Sequence, residues 1–186
     1  MIFESPISHR FHVEEWHRMG EANVFDPENH LELIDGEILD MGPISPNHAG
    51  HRMRLTSRFN LLPDLPAIVG INHPIQLSAF SEPHADLALL TPEIDDYTTR
   101  HPKAADVLLL IEVSDSTLRF DREQKRLLYA THLIPEYWIV NLIDNCLEIY
   151  RQPENGDYRE QITLAKTDHI NLVSLTEIQV QVADIL

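Results

Sequence analysis

The sequence predicts an α/β fold, a mixed central sheet flanked by helices, with an N-terminal β-hairpin and added C-terminal strands. Three observations predict it. Asp35-Gly36 lies between two short apolar runs, the strongest local signal for a tight hairpin. Residues 106–113, DVLLLIEV, form an apolar stretch of strand length that suits burial on both faces of a sheet. Segments of helical period at 48–62 and 121–132 alternate with the strand-like runs.

Each element has its own reason. Residues 12–19 read as a short helix, with Val13, Trp16 and Met19 at helical spacing. In HLELIDGEILDM, a two-residue turn sets Ile34 opposite Glu37 and Glu32 opposite Leu39, so both glutamates share one face of the ribbon. Pro43 and Pro46 end the hairpin, and Ser45 or Asn47 is placed to cap a helix over 48–62. Met53, Leu55, Phe59, Leu61 and Leu62 supply its buried side; Arg52, Arg54 and Arg58 supply a basic one, which can touch phosphates and is explained equally well as a solvated helix face. After the break at Pro63 and Pro66, residues 67–71, 74–78 and 85–90 read as successive strands, and 106–113 as a central one. A helix over 121–132 follows, with Asp121 and Gln124 spaced as a capping box. Strands at 136–141 and 146–151 flank the Asp144-Asn145 turn, and more β structure runs from Gly156 to a short terminal segment at Leu186. No repeat or linker interrupts residues 1–186, which read as a single domain.

Composition narrows the function classes. A hydrophobic fraction of 43% and a charged fraction of 24% are ordinary globular values and speak against a fibrous or disordered chain. The longest aliphatic run, residues 107–111, is far too short for a membrane span. The opening MIFESPISHRF has neither a basic start nor an apolar signal core, and the single cysteine, Cys146, cannot form an internal disulfide or a multi-thiolate zinc site. The expectation is a cytoplasmic protein with no membrane association. The net charge of −16 argues against a nonspecific nucleic-acid coat, which would need lysine and arginine to neutralise phosphates. That charge sits on the flanks: residues 47–132 carry 11 acids and 9 bases, against 10 and 2 before them and 9 and 3 after. DNA stays open as a partner without being favoured by charge.

Two carboxylates stand out by position. Asp86 opens the apolar run ADLALL, and Glu112 closes VLLLIEVS. An acid at the edge of a buried strand needs a partner, either a nearby arginine or a divalent metal. Mg²⁺ takes oxygen ligands, commonly one or two carboxylates, and the backbone carbonyl of Val113 offers a further one. Lys125, one of three lysines, lies a turn into the helix after Glu112, where it can neutralise a phosphate or orient a water. The plainer reading is a surface pair with Asp121 four residues earlier, worth only about 0.2–0.5 kcal/mol. Spacing does not choose between them. Other patterns are incomplete: His48 with His51 and His9 with His12 have pair spacing but no full zinc set. Ser114 and Ser116 around Asp115 lack a nucleophile-elbow glycine pattern, the six glycines are scattered, and Tyr137 and Trp138 read as core.

The succession ELIDGEILDM, PNHAGHRMRL, HADLALL, LLLIEVSDST, DREQKRLLYA, IPEYWIV and LEIYR resembles the Uma-two-type restriction endonuclease family of the PD-(D/E)XK nuclease superfamily. It covers about residues 12–158 and is specific in order and spacing. The resemblance implies a restriction-endonuclease-like core and a metal-dependent endonuclease hydrolysing DNA phosphodiester bonds with Mg or Mn. Its catalytic residues would be Asp86, Glu112 and Lys125, with metal on Asp86, Glu112 and Val113, and Glu32, Glu37, His48 and Asp121 in supporting places. Two positions depart from the pattern: Ala85, not proline, precedes the aspartate, and Ser114 stands where a lysine is usual, so the lysine role moves to Lys125. Nuclease-like folds commonly pair to address two strands, so a homodimer is expected. The alternative is a noncatalytic nuclease-fold module that acts in dimerisation or partner binding.

Overall fold

In the computed structural model, which describes residues 7–186, Asp35 and Gly36 both adopt positive φ, 50° and 78°. A two-residue type I′ turn requires that pair. It joins strands β1 (Leu31–Ile34) and β2 (Glu37–Asp40) in the register expected, Ile34 opposite Glu37 and Glu32 opposite Leu39. The reading of the first residues as lacking an export signal falls partly on 1–6, outside the described residues.

The chain divides into two compact units, one running to Pro43 and including Gln76–Pro83, the other formed by Ile44–Ile75 and His84–Leu186. The first holds helix α1 (Val13–Glu21) and the hairpin. Residues 76–83 return to them: Val13 N–H donates to Ala79 O, Gly36 N–H to Phe80 O and Glu82 N–H to Leu33 O. The strand expected at 74–78 is therefore corrected. Pro74 ends the preceding strand, and the amides of Leu77 and Ser78 both turn onto the carbonyl of Ser81 instead of joining a ladder.

The second unit is built on a six-stranded sheet. Its strands are β3 (Ile68–Pro74), β4 (His84–Leu90), β5 (Val107–Ser114), β6 (Glu136–Asn141), β7 (Cys146–Glu154) and β8 (Asp157–Leu164), adjacent in that order. Only β5 and β6 are parallel; the other neighbours are antiparallel, so the sheet is mixed. Two short strands, β9 (His169–Asn171) and β10 (Gln179–Gln181), add a separate C-terminal ribbon. The apolar run of β5 lies inside the sheet, buried from both sides as its sequence demands.

Helix α2 (Pro46–Asn60) begins where Ser45 accepts a hydrogen bond from His48 N–H at 3.1 Å, with Pro46 in the first turn. Its sheet-facing stripe is His48, Arg52, Leu55 and Phe59, spaced four, three and four residues apart. Leu55 and Phe59 are fully buried against Leu87, Leu109, Ile111 and Trp138. The expectation that Met53 and Leu61 join them is corrected: they are 71% and 77% exposed, because both fall off that stripe.

The crossover from β5 to β6 is a helix over residues 118–131, α3, with α-helical ends Leu118–Phe120 and Arg126–Thr131 around a π-helical middle, Asp121–Lys125. It starts three residues earlier than expected, so Asp121 is not a cap but a buried residue within the helix. Asp121, Lys125 and Tyr129 all face the sheet and are almost fully buried. A regular α-helix would drift by about 80° across those eight residues, and the wider π turn offsets part of it.

Among the described residues, no helix is long and apolar enough to cross a membrane.

Candidate functional site

The ladder between β4 and β5 ends at Leu87 opposite Ile111. The next facing pair is Asp86 and Glu112, and here side chains take over the backbone donors. Val113 N–H donates to Asp86 Oδ2 at 2.9 Å, and Asp86 N–H to Glu112 Oε2 at 3.4 Å. The pairing of β3 with β4 also skips Asp86: it stops at Ile71–Leu87 and resumes at His73–Ala85, with Asn72 between them at φ 48°. Two carboxylates thus face each other at a place where the sheet is interrupted, and they are only 8% and 4% exposed.

Burial of two carboxylates side by side is costly unless cations and donors compensate. Both helices supply them. From α3, Lys125 Nζ lies 3.0 Å from Glu112 Oε1 and 3.4 Å from the carbonyl of His84, and Tyr129 OH donates to the same Glu112 oxygen at 2.8 Å. From α2, His48 Nε2 lies 3.1 Å from Asp86 Oδ2, and Arg52 Nη1 lies 3.6 Å from Asp86 Oδ1. Burial pushes the His48 imidazole pKa down, but its hydrogen bond to Asp86 and the charges of Asp86 and Asp115 outweigh this and hold it above the ordinary value.

The residues around this core fix its walls. Ser114 Oγ, at the end of β5, donates to Asp121 Oδ2 at 2.7 Å, as does Thr117 Oγ1. Burial raises the Asp121 carboxyl above the usual range, against the opposing effects of Lys125, Ser114 and Thr117. Ser45, the α2 cap, donates to Asp115 Oδ2 at 2.7 Å, tying the start of α2 to the end of β5. Burial opposes ionisation of Asp115, yet bonds from Ser45 and Ser116 and the nearby His48 hold its carboxyl below the usual range.

Asp86, Glu112, Lys125, Val113, His48 and Asp121, all singled out from sequence, are therefore brought together in the second unit. Val113 is present through its amide, which holds Asp86. The reading of Lys125 as a surface partner of Asp121 is set aside, since its side chain is 3% exposed and reaches Glu112. Glu32 and Glu37 belong to the other unit, where Glu32 is buried and Glu37 exposed although they share a ribbon face. His51 Nδ1 bonds back to Asn47 O at 2.9 Å, within α2. Tyr137 and Trp138 are core residues, and the Trp138 indole donates to Glu136 at 2.8 Å.

Tyr129 was not singled out by sequence reasoning, and Arg52 only as one of three α2 arginines that could touch phosphates or form a solvated face. The one available signal was spacing: Tyr129 stands four residues after Lys125, and Arg52 four after His48.

Comparisons with known proteins agree with this architecture. The family Uma2, described as a putative restriction endonuclease, matches residues 13–183. A crystal structure of a putative nuclease belonging to DUF820 from Anabaena variabilis ATCC 29413 superposes with a TM-score of 0.70, covering 94% of this chain and 97% of that one. Identity to it is 14%, so the likeness carries the fold. No protein with a curated description matches the chain. With its match over nearly the whole length and a mixed sheet bearing the facing acids, the chain belongs to the Uma2 family, within the PD-(D/E)XK-like nuclease-fold superfamily.

Proposed function

We propose that the chain is a metal-dependent endonuclease that hydrolyses DNA phosphodiester bonds at the Asp86–Glu112 pair. The observation that carries this reading is the buried pair of facing carboxylates with Lys125 Nζ 3.0 Å from Glu112. Their donors are all oxygen, the chemistry that suits Mg or Mn, and the Val113 carbonyl is the third ligand in this reading. A cation held there supplies an acidified water and a polarised phosphate.

The chain's own groups do the rest. Val113 N–H and His48 fix the orientation of Asp86, and Tyr129 OH fixes Glu112. Lys125, delivered from α3, offsets the negative charge that develops on the phosphate, filling the role that Ser114 cannot. Asp121 supports it by anchoring Ser114 and Thr117 at the mouth of the crossover. A homodimer that addresses two strands, and a cytoplasmic address in keeping with the lone Cys146, complete the proposal.

Comparison of the wild type with Asp86→Ala for DNA cleavage in the presence of Mg or Mn tests this. The reading requires cleavage by the wild type and its loss in the variant; equal activity in both would remove the site. The alternative, a noncatalytic nuclease-fold module in dimerisation or partner binding, draws on one observation: Lys125 and Arg52 already balance the two acids. Calorimetry separates the two, since a Mn response lost in Glu112→Ala supports the metal site and no response supports the module.

A further inference from the structure

Of the three α2 arginines named from sequence, two are committed elsewhere. Arg54 donates to Leu186 O at 2.5 Å, and Arg58 lies 3.0 Å from Asp184. Arg52 differs. Its place on the buried stripe, between His48 and Leu55, aims it at Asp86, but its closest approach is 3.6 Å, beyond hydrogen-bond length. Nη1 is buried and has no hydrogen-bond partner among the described residues. Asp86 Oδ2 is meanwhile taken by Val113 N–H and His48, and Glu112 by Lys125 and Tyr129.

A guanidinium held beside a carboxylate without bonding to it is poorly explained as a structural ion pair. A salt bridge built for stability would close to bonding distance and use the planar fork, as Arg122 does with Glu148 at 2.9 Å and 2.5 Å. An anionic acceptor brought from outside would complete the bonding of this guanidinium, whose side chain is 23% exposed, and a phosphodiester is the acceptor that the neighbouring chemistry calls for.

The geometry points to Arg52 as the residue that holds the substrate phosphate, the accessible edge of its guanidinium donating to a non-bridging oxygen while α2 and the nearby Asp86 fix it in place. This rests on the nuclease reading for the identity of the phosphate, and on the geometry alone for the presence of an anion site. Arg52 is thus placed as a binding residue, distinct from Lys125 on the opposite helix.

The test combines three measurements on wild type, Arg52→Gln and Arg52→Lys. Thermal unfolding checks folding, Mn calorimetry without DNA reads the metal, and anisotropy of a labelled DNA duplex in calcium reads binding alongside cleavage in Mg. Arg52→Gln is expected to bind Mn as well as or better than wild type, because a cation beside Asp86 is removed. Its duplex affinity is expected to fall by about tenfold to a hundredfold, the worth of a charge-assisted hydrogen bond, with KM rising accordingly. Arg52→Lys should recover part of that loss, since it keeps the charge without the fork. Unchanged duplex affinity in a folded Arg52→Gln overturns the inference, and so does a wild type that binds no duplex. If the wild type cleaves and the variant matches it, the nuclease reading stands and this inference falls. If the wild type binds the duplex through Arg52 but cleaves nothing, the anion site stands and the nuclease reading falls.

Discussion

Replacing Lys125 by methionine removes the ammonium while keeping most of the side-chain stem, so its effect isolates the charge. Lys125 and Glu112 are 3% and 5% exposed at the side chain and 3.0 Å apart. Loss of one partner leaves a buried carboxylate still served by Tyr129 OH, at 2.8 Å, and by the longer contact from Asp86 N–H. Breaking a buried pair costs about 3–5 kcal/mol, and those remaining donors place Lys125→Met near the lower end, about 3 kcal/mol. For a chain of this size that is a fall in Tm of about 6–12 °C. The double variant Lys125→Met/Glu112→Gln removes both charges and should regain more than half of the loss, which a double-mutant cycle by thermal or urea unfolding measures directly. A Lys125→Met protein within about 0.5 kcal/mol of wild type, or a double variant whose losses simply add, would refute the buried-pair account.

Three further outcomes follow from particular residues. Ser45→Ala loses both the α2 cap and the tie to Asp115, and should cost about 1–2 kcal/mol in chemical unfolding; no change would mean that neither bond matters. Gly36→Ala should cost about 2 kcal/mol, because φ is +78° and an added Cβ would meet Arg10 Cβ at 2.7 Å; a neutral result would contradict the tight turn. Glu148 is held below the usual carboxylate range: burial opposes this, but Arg122, Asn141 and Tyr150 outweigh it. A depressed folded pKa gives stability that is present above the unfolded value, about 4.3, and lost as pH falls through the folded one. The stability gap between wild type and Glu148→Gln should therefore close on acidification, and a gap independent of pH between about 3 and 7 would contradict the assignment.

Local signals carried much of the fold. Asp35-Gly36 specified its turn and register because both positions need left-handed backbone, which few residue pairs supply. DVLLLIEV announced an interior strand because only double-sided burial rewards so long an apolar run. Asp86 and Glu112 were legible as acids at the edges of such strands. The sequence did not reveal that the ladder would stop between them, since pairing is a property of two strands at once. Lys125 was ambiguous for the same reason: its four-residue spacing from Asp121 fits an exposed pair, and only the packing of the β5–β6 crossover buries both. The stripe of α2 was misjudged at Met53 and Leu61 because polar His48 and Arg52, not further apolar residues, continue its inner face toward the carboxylates. Residues 76–83 read as strand and loop, yet they return to the hairpin through backbone bonds that no side-chain pattern records.

The most direct measurement of the metal site is anomalous scattering from manganese introduced into crystals of the protein. A single manganese peak within about 2.2 Å of carboxylate oxygens of both Asp86 and Glu112 is the predicted result. A peak elsewhere, or none at saturating manganese, would contradict the central claim that these two facing acids hold the cation.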